Sequence, residues 1–349
     1  MRIGLLGFGT VGSSFAEVLA AGAHKEIQIT RVFNRGVERK RAHARAKFVP
    51  ESAVWTDRVE DILTAPDVDA VVELIGGLDP IESWLHSAIT AGKHVITANK
   101  QLIAFRGTEL IHLAAKHNVQ LLFGSSVAGG VPVIPGMVQG LSGDRIHRVR
   151  GIVNGTCNYI LSEMESGANY GEVLANAQRA GYAEADPSAD VDGYDARAKL
   201  CILARLALHA EIHPEDVPAQ TIRHVRAIDF PYAKELGCTI RQVSHAELDG
   251  GVVRARVSPM VVPRTSPIAW SHGTQNMIVT TGEFGGDVVF SGHGAGGHPT
   301  AVAVMSDVLA IAHGSAAVRL AVAKHSVSGD VNAPHYLRFV VADKPGIVA

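Results

Sequence analysis

Up to residue 123, short apolar runs alternate with stretches of helical period. The runs predict strands at 3–6, 27–33, 70–75, 94–97 and 120–123, with helices between them at 13–21, 81–91 and 108–116. Strand and helix in this alternation imply a parallel sheet with right-handed crossovers, a doubly wound α/β unit. From Gly129 the texture changes. A Gly/Pro-rich stretch leads to a strand at 149–153, a helix from Asn158 and a long helix at 193–212. Period-two segments then predict antiparallel strands: Val253, Ala255 and Val257 alternate with Arg254, Arg256 and Ser258. After a glycine-rich turn comes an apolar helix at 299–325, expected to pack back onto the first unit. The expected division is 1–128, 129–298 and, at 335–349, the first strand and turn of a further domain.

Composition narrows the class. The chain has 349 residues, long enough for more than one core, with 47% apolar and 19% charged residues and a net charge of −2. That balance gives no electrostatic reason to expect nucleic acid or an anionic membrane as partner. Cys157, Cys201 and Cys238 stand far apart in no CxxC pattern, which favours a reducing, cytoplasmic setting. The N-terminal apolar run is broken by four glycines, and no stretch approaches the ~18 apolar residues of a membrane span.

Gly7-Phe8-Gly9-Thr10-Val11-Gly12 is a GxGxxG match that follows a predicted strand and opens a predicted helix. In that setting the glycines allow a tight turn, close approach of a pyrophosphate and tight helix–strand packing. This makes the first unit a candidate Rossmann domain for NAD or NADP. The second strand ends Phe33-Asn34-Arg35-Gly36, without the acid that holds a ribose hydroxyl in NAD-preferring sites. Arg35 could hold a 2′-phosphate, which leans towards NADP.

The stretch "GYAEADPSADVDGYDARAKL" (181–200) holds five carboxylates before Lys199. Neither register of it fits an EF-hand. Asp192 suits an N-cap for the following helix. On a helical wheel Ala196, Leu200, Leu203 and Leu206 form an apolar sector, with Arg197 and Arg205 on the other side. Lys199 falls inside that sector, one turn beyond Asp195, and a buried lysine needs a carboxylate or a cleft. A lysine and carboxylate facing a dinucleotide site suit proton delivery to a carbonyl during hydride transfer. His209 and His213 are four apart but lack a third zinc ligand.

Together with AGKHVITANK (91–100), NGTCNYIL (154–161) and GHGAGGHPTAVAVMSD (292–307), these motifs closely resemble the homoserine dehydrogenase family. The resemblance implies a Rossmann domain plus a mixed α/β catalytic and dimerisation domain, with a C-terminal ACT domain begun at "YLRFVVADKPGIVA". It implies NAD(P)H-dependent, reversible reduction of L-aspartate 4-semialdehyde to L-homoserine, on the route to threonine and methionine. By position, Lys199 matches the proton donor, Asp195 its neighbour, and Lys100 a lysine between cofactor and substrate. Glu184 and Asp190 match acids around the substrate, with Asn154, Gly155 and Thr156 beside them. Gly7 to Gly12, Arg35, Lys100, Gly181 and Gly294 match cofactor contacts. The family's structural monovalent cation would sit on Val127, Gly129 and Val131, but its usual Glu is replaced by Gly124. The resemblance further implies a homodimer. Two other readings are a dehydrogenase of another small amino acid or semialdehyde, and a dinucleotide sensor without catalysis. The sensor reading predicts damage at Asp195 or Lys199, and both are present.

Overall fold

Six short strands build the first sheet: β1 (Arg2–Leu6), β2 (Gln28–Phe33), β3 (Val54–Thr56), β4 (Ala70–Glu73), β5 (His94–Thr97) and β6 (Leu121–Leu122). All pairs are parallel, in the order β3-β2-β1-β4-β5-β6. This computed structural model describes residues 1–315, 321–331, 333–342 and 344. Helices on both faces bury the strands, which is why their sequences are continuous apolar runs rather than alternating ones. Strand β3 has only three residues at the sheet's edge, too few to register as a run. Helix α1 (Thr10–Ala21) follows β1 directly, α2 (Ile81–Thr90) lies between β4 and β5, and α3 (Lys100–Lys116) follows β5. Helix α3 starts at Lys100, not at 108. Its polar first residues and Gly107 blur the period, while Asn99 caps it by accepting from the Leu102 amide at 3.1 Å.

The second sheet is mixed, with order β12-β11-β7-β9-β10-β14. Its strands are β7 (Ile146–Ile152), β9 (Cys238–Asp249), β10 (Val252–Pro263), β11 (Gln275–Gly282), β12 (Gly286–His293) and β14 (Ser326–Ser328). Two residues each in β8 (Ala210–Glu211) and β13 (Ala323–Lys324) form a separate parallel pair. The expected alternation in β10 holds from Val253 to Val257, with Val253, Ala255 and Val257 fully buried, and lapses at Ser258, which is also buried. The three apolar side chains share a core with α6 (Tyr194–Ala207), while α4 (Gly155–Glu165) and α5 (Ser188–Val191) bury Cys157, Ile160 and Val191 in a separate cluster. The helix expected at 193–212 stops at Ala207, because His209 adopts a left-handed φ of 51° and turns the chain into β8.

Helix α7 (Gly297–Ala312) packs against the first sheet. Ala301, Val304, Met305 and Val308 share a core with Ile3, Leu5 and Phe15. It ends at Ala312 rather than 325; residues 316–320 lie outside the described ones. The strand expected from residue 335 is not formed, since 333–342 contain neither helix nor strand. A strand needs a neighbouring strand to pair with. Here Tyr336 instead donates to Asp229 at 2.8 Å, and Arg338 pairs with the same carboxylate. The turn expected beyond it lies largely outside the described residues. One large cluster joins Leu102 and Ile103 of α3 to Leu200 and Leu203 of α6 and to Val149 and Ala255 of the second sheet. The two sheets are therefore held together by a core running between α3 and α6.

Candidate active site

The C-terminal edge of the first sheet carries the glycine loop. Gly7 has φ +98°, a left-handed conformation, and a Cβ on Gly12 would stand 2.1 Å from the Gly7 carbonyl oxygen. Nothing lies within 4 Å of the place a Cβ on Gly9 would take, so the surface above the loop is open. Helix α1 begins at Thr10 with its free amides towards that opening, an arrangement suited to a pyrophosphate. Phe8 is buried edge-on against Trp55, so any contact it makes with a cofactor is through its backbone. At the end of β2, Arg35, Arg39 and Lys40 line a cleft of about 210 Å³ with Asn34 and Ile75. Thus the loop fits a pyrophosphate and the adjoining cleft fits an anion.

A second cleft, of about 350 Å³, is lined by Lys100, Glu184, Asp190 and Asp195. Lys100 is the first residue of α3, whereas Asp195 and Lys199 lie one turn apart on α6. The Asp195 carboxylate is held from both sides: Lys100 pairs with Oδ1, and Lys199 donates to Oδ2 at 2.8 Å. Burial works against its ionised form, but the two ammonium groups outweigh it and hold Asp195 far below the usual carboxylate range. Lys100 is likewise raised despite burial, by Asp195 first and then Asp190 and Glu184. Lys199 is 12% exposed and also donates to the Val153 carbonyl at 2.7 Å. An ammonium has three donors, so one remains for a substrate oxygen.

Asn154 ties the acids together. It caps α4 by accepting from the Cys157 amide at 2.8 Å, and its Nδ2 donates to Asp190 at 2.7 Å and Asp195 at 3.0 Å. Burial raises the Asp190 carboxyl, Asn154 counters it, and Asp195 adds to the rise. At the second residue of α4, the Thr156 hydroxyl donates to the Tyr182 carbonyl at 2.6 Å. A cleft with one pinched carboxylate, two ammoniums and two further acids can bind a small zwitterion and pass a proton at a carbonyl.

Known proteins match this arrangement along the chain. The family model for homoserine dehydrogenase matches residues 132–309, and that for the homoserine dehydrogenase NAD binding domain matches 7–124. The chain belongs to the homoserine dehydrogenase family. The Synechocystis homoserine dehydrogenase is 41% identical over 100% of this chain and 84% of its own length. That of Bacillus subtilis is 37% identical over 99% and 82%. Among solved structures, the Thiobacillus denitrificans homoserine dehydrogenase aligns with TM-score 0.84 and 38% identity, over 89% of this chain and 73% of that one. A hyperthermophilic archaeal homoserine dehydrogenase in complex with NADPH aligns with TM-score 0.78 and 26% identity, over 91% and 99%. The chain is accordingly an oxidoreductase that interconverts L-aspartate 4-semialdehyde and L-homoserine with a nicotinamide dinucleotide, in amino-acid biosynthesis. No helix among the described residues is long and apolar enough to cross a membrane.

With the family established, the expected residues fall into groups. Lys100, Glu184, Asp190 and Asp195 line the second cleft, and Asn154 and Lys199 are bonded to its carboxylates. Gly155 sits where a Cβ would meet the Thr274 carbonyl at 2.8 Å. Gly294 lies against Gly129, whose Cβ would meet the Gly294 carbonyl at 2.4 Å, while Gly181 is an exposed turn residue. Asp192 is not the cap of α6. Gly193 takes that position with φ +84°, and Asp192 accepts from Arg223 at 3.0 Å. The expected cation set lacks its acid: Gly124 donates its amide to Asp307 at 2.8 Å, and the Val131 carbonyl accepts from Val133. These residues do not supply the family's full donor set. Sequence reasoning missed Glu73, a fully buried acid that accepts from the Ile75 and Gly76 amides and from Thr97. An acid ending an apolar strand before Gly-Gly was the available signal.

Proposed function

We propose that Lys199 is the proton donor to the substrate carbonyl oxygen in the reduction and takes the proton back in the oxidation. The observation that carries this reading is the Asp195 carboxylate between Lys199 and Lys100, which pairs with both ammonium groups and holds them in place. Glu184 and Asp190 face the same cleft and suit the substrate ammonium; Asn154, which donates to Asp190, and Gly155 and Thr156 after it at the start of α4 are further substrate contacts on this reading. Lys100 stands at the cofactor side of the cleft, on the helix that leaves the Rossmann sheet. When bound, the dinucleotide gives or takes the hydride.

Gly7, Phe8, Gly9, Thr10, Val11 and Gly12 cradle its pyrophosphate through backbone amides, while Gly181 and Gly294 approach the nicotinamide end. NADP is the preferred cofactor on this reading, because three cationic side chains line the cleft at Arg35 and no acid ends β2. The division at 128/129 gives a cofactor domain and a catalytic domain that also dimerises in the cytoplasm. Supporting the dimer, Arg150, His245 and Arg256 stand opposite one another across β7, β9 and β10. Each has a buried nitrogen without a hydrogen-bond partner among the described residues, on a face a second copy would cover. The test is steady-state oxidation of L-homoserine with NADP and with NAD. A higher kcat/KM with NADP is expected, and equal or reversed values would overturn the preference.

A further inference from the structure

Lys100 reaches the site from α3 and Asp195 from α6, so the spacing of these two helices sets whether they meet. The wheel put Arg205 of α6 on the polar side, yet its side chain is 1% exposed. Its Nη1 donates to the Ile103 carbonyl at 2.6 Å and its Nη2 to the Ala104 carbonyl at 3.0 Å, both on α3. Nε and Nη2 also donate to the Glu211 carboxylate of β8, at 3.0 and 2.8 Å. Glu211 in turn accepts from Thr108 of α3. Burial works against the ionised Glu211, but the bonds from Arg205 and Thr108 outweigh it and lower its pKa. One planar fork therefore binds three elements at once.

Gly107 gives this contact its room. A Cβ at that position would lie 2.7 Å from Arg205 Nη1. Glycine weakens a helix interior, and in α3 it leaves the space that the guanidinium fills. The carbonyls it reaches, on Ile103 and Ala104, lie one turn from Lys100. A buried ion pair is a poor source of stability compared with apolar packing. Its evident effect here is geometric, a fixed separation between α3 and α6.

We propose that Arg205 is a positioning residue for the reaction, acting through Lys100 by locking α3 against α6 so that Lys100 meets Asp195. The proposal rests on the reading of Lys100, Asp195 and Lys199 given above. Lysine at 205 keeps the charge but loses the fork, so Arg205→Lys should lower kcat by about tenfold to a hundredfold, the scale of an ångström-level misplacement. Dinucleotide Kd should change far less than kcat. The alkaline limb of the kcat–pH profile should move to lower pH, because Lys100 loses the carboxylate that raises its pKa. In a Lys100→Met background, Arg205→Lys should change kcat no further. Gly107→Ala, which keeps the ion pair and displaces it, should give the same pH shift with a smaller loss of kcat.

A purely structural role predicts a lower melting temperature with kcat and pH profile intact, or additive losses in the double variant. Either result overturns the proposal. If Arg205→Lys does not fold, unchanged kcat and pH profile in Gly107→Ala overturn it instead. Lys100→Met retaining full turnover would sink the reading of Lys100, and this proposal with it. Lys100→Met losing turnover while Arg205→Lys keeps it removes the Arg205 role alone.

Discussion

The two ends of the site are made of different materials. At the cofactor end the loop Gly7–Gly12 offers backbone, space and a helix start, with its one large side chain, Phe8, turned into the core. At the substrate end nearly everything is charge: two lysines and three acids drawn from α3, α5, α6 and the turn before α5. A backbone site is encoded by what is missing, and so reads as a short contiguous motif. A charged site is encoded by what is brought together, and folding has to do the bringing. The first should fail by steric intrusion and the second by loss or change of charge.

The largest expected effect is at the charged end. Lys199→Ala removes the donor, and loss of a general acid costs about 10²- to 10⁴-fold in rate. kcat should fall by that order, with dinucleotide affinity kept. A variant retaining most of its turnover would remove Lys199 from the chemistry. At the backbone end, Gly12→Ala drives a methyl to 2.1 Å from the Gly7 oxygen. Overpacking of this kind costs ~1–3 kcal/mol. Dinucleotide titration should show Kd raised by about tenfold or more on that scale, with the pH dependence of kcat unchanged. If Gly12→Ala instead shifted the pH profile, the contrast between the two ends would break down.

Arg35 tests where the contrast stops, since it adds charge to the backbone end. Arg35→Ala should weaken NADP by about tenfold, the worth of one charged hydrogen bond, and leave NAD unaffected. Equal losses for both cofactors would assign Arg35 to the fold or to the shared pyrophosphate.

The same contrast explains what the sequence could convey. Strands β1, β2, β4 and β5 were legible because buried parallel strands are apolar throughout, and the glycine loop because it is contiguous. Lys199 and Asp195 were legible as a pair on one helix. Arg205 was misjudged for a definite reason: a wheel describes one helix, and the carbonyls of Ile103 and Ala104 that receive it lie on another. Asn154 read as a substrate contact, while its carboxamide bridges Asp190 and Asp195, some forty residues distant. Asp192 looked like a cap because Arg223, which claims it, is likewise far along the chain. Helix ends failed at His209, whose left-handed backbone no periodicity reports.

Two aspartates, Asp195 buried and Asp307 half-buried, carry the comparison to its smallest measurable effect. Asp195, between two lysines, is depressed, so its contribution is present above the unfolded carboxylate pKa and is lost as pH falls through its folded value. Asp307, on α7, meets only the Gly124 amide among the described residues, and burial pushes it up to about 7 despite that bond. The sign is then reversed. Asp307 favours folding while protonated, and that contribution drains away as pH rises from the unfolded value near 4 to about 7. Asp307→Asn keeps an oxygen for the Gly124 amide and cannot ionise. Its melting temperature should match the parent's at pH 4 and exceed it at pH 8, by an amount independent of the Lys100–Asp195 contact. A variant no more stable than the parent at pH 8 would mean that Asp307 is ionised in the folded chain and has a cation beside it, which would bring the region of Gly124 back into consideration as a charged site rather than a backbone one.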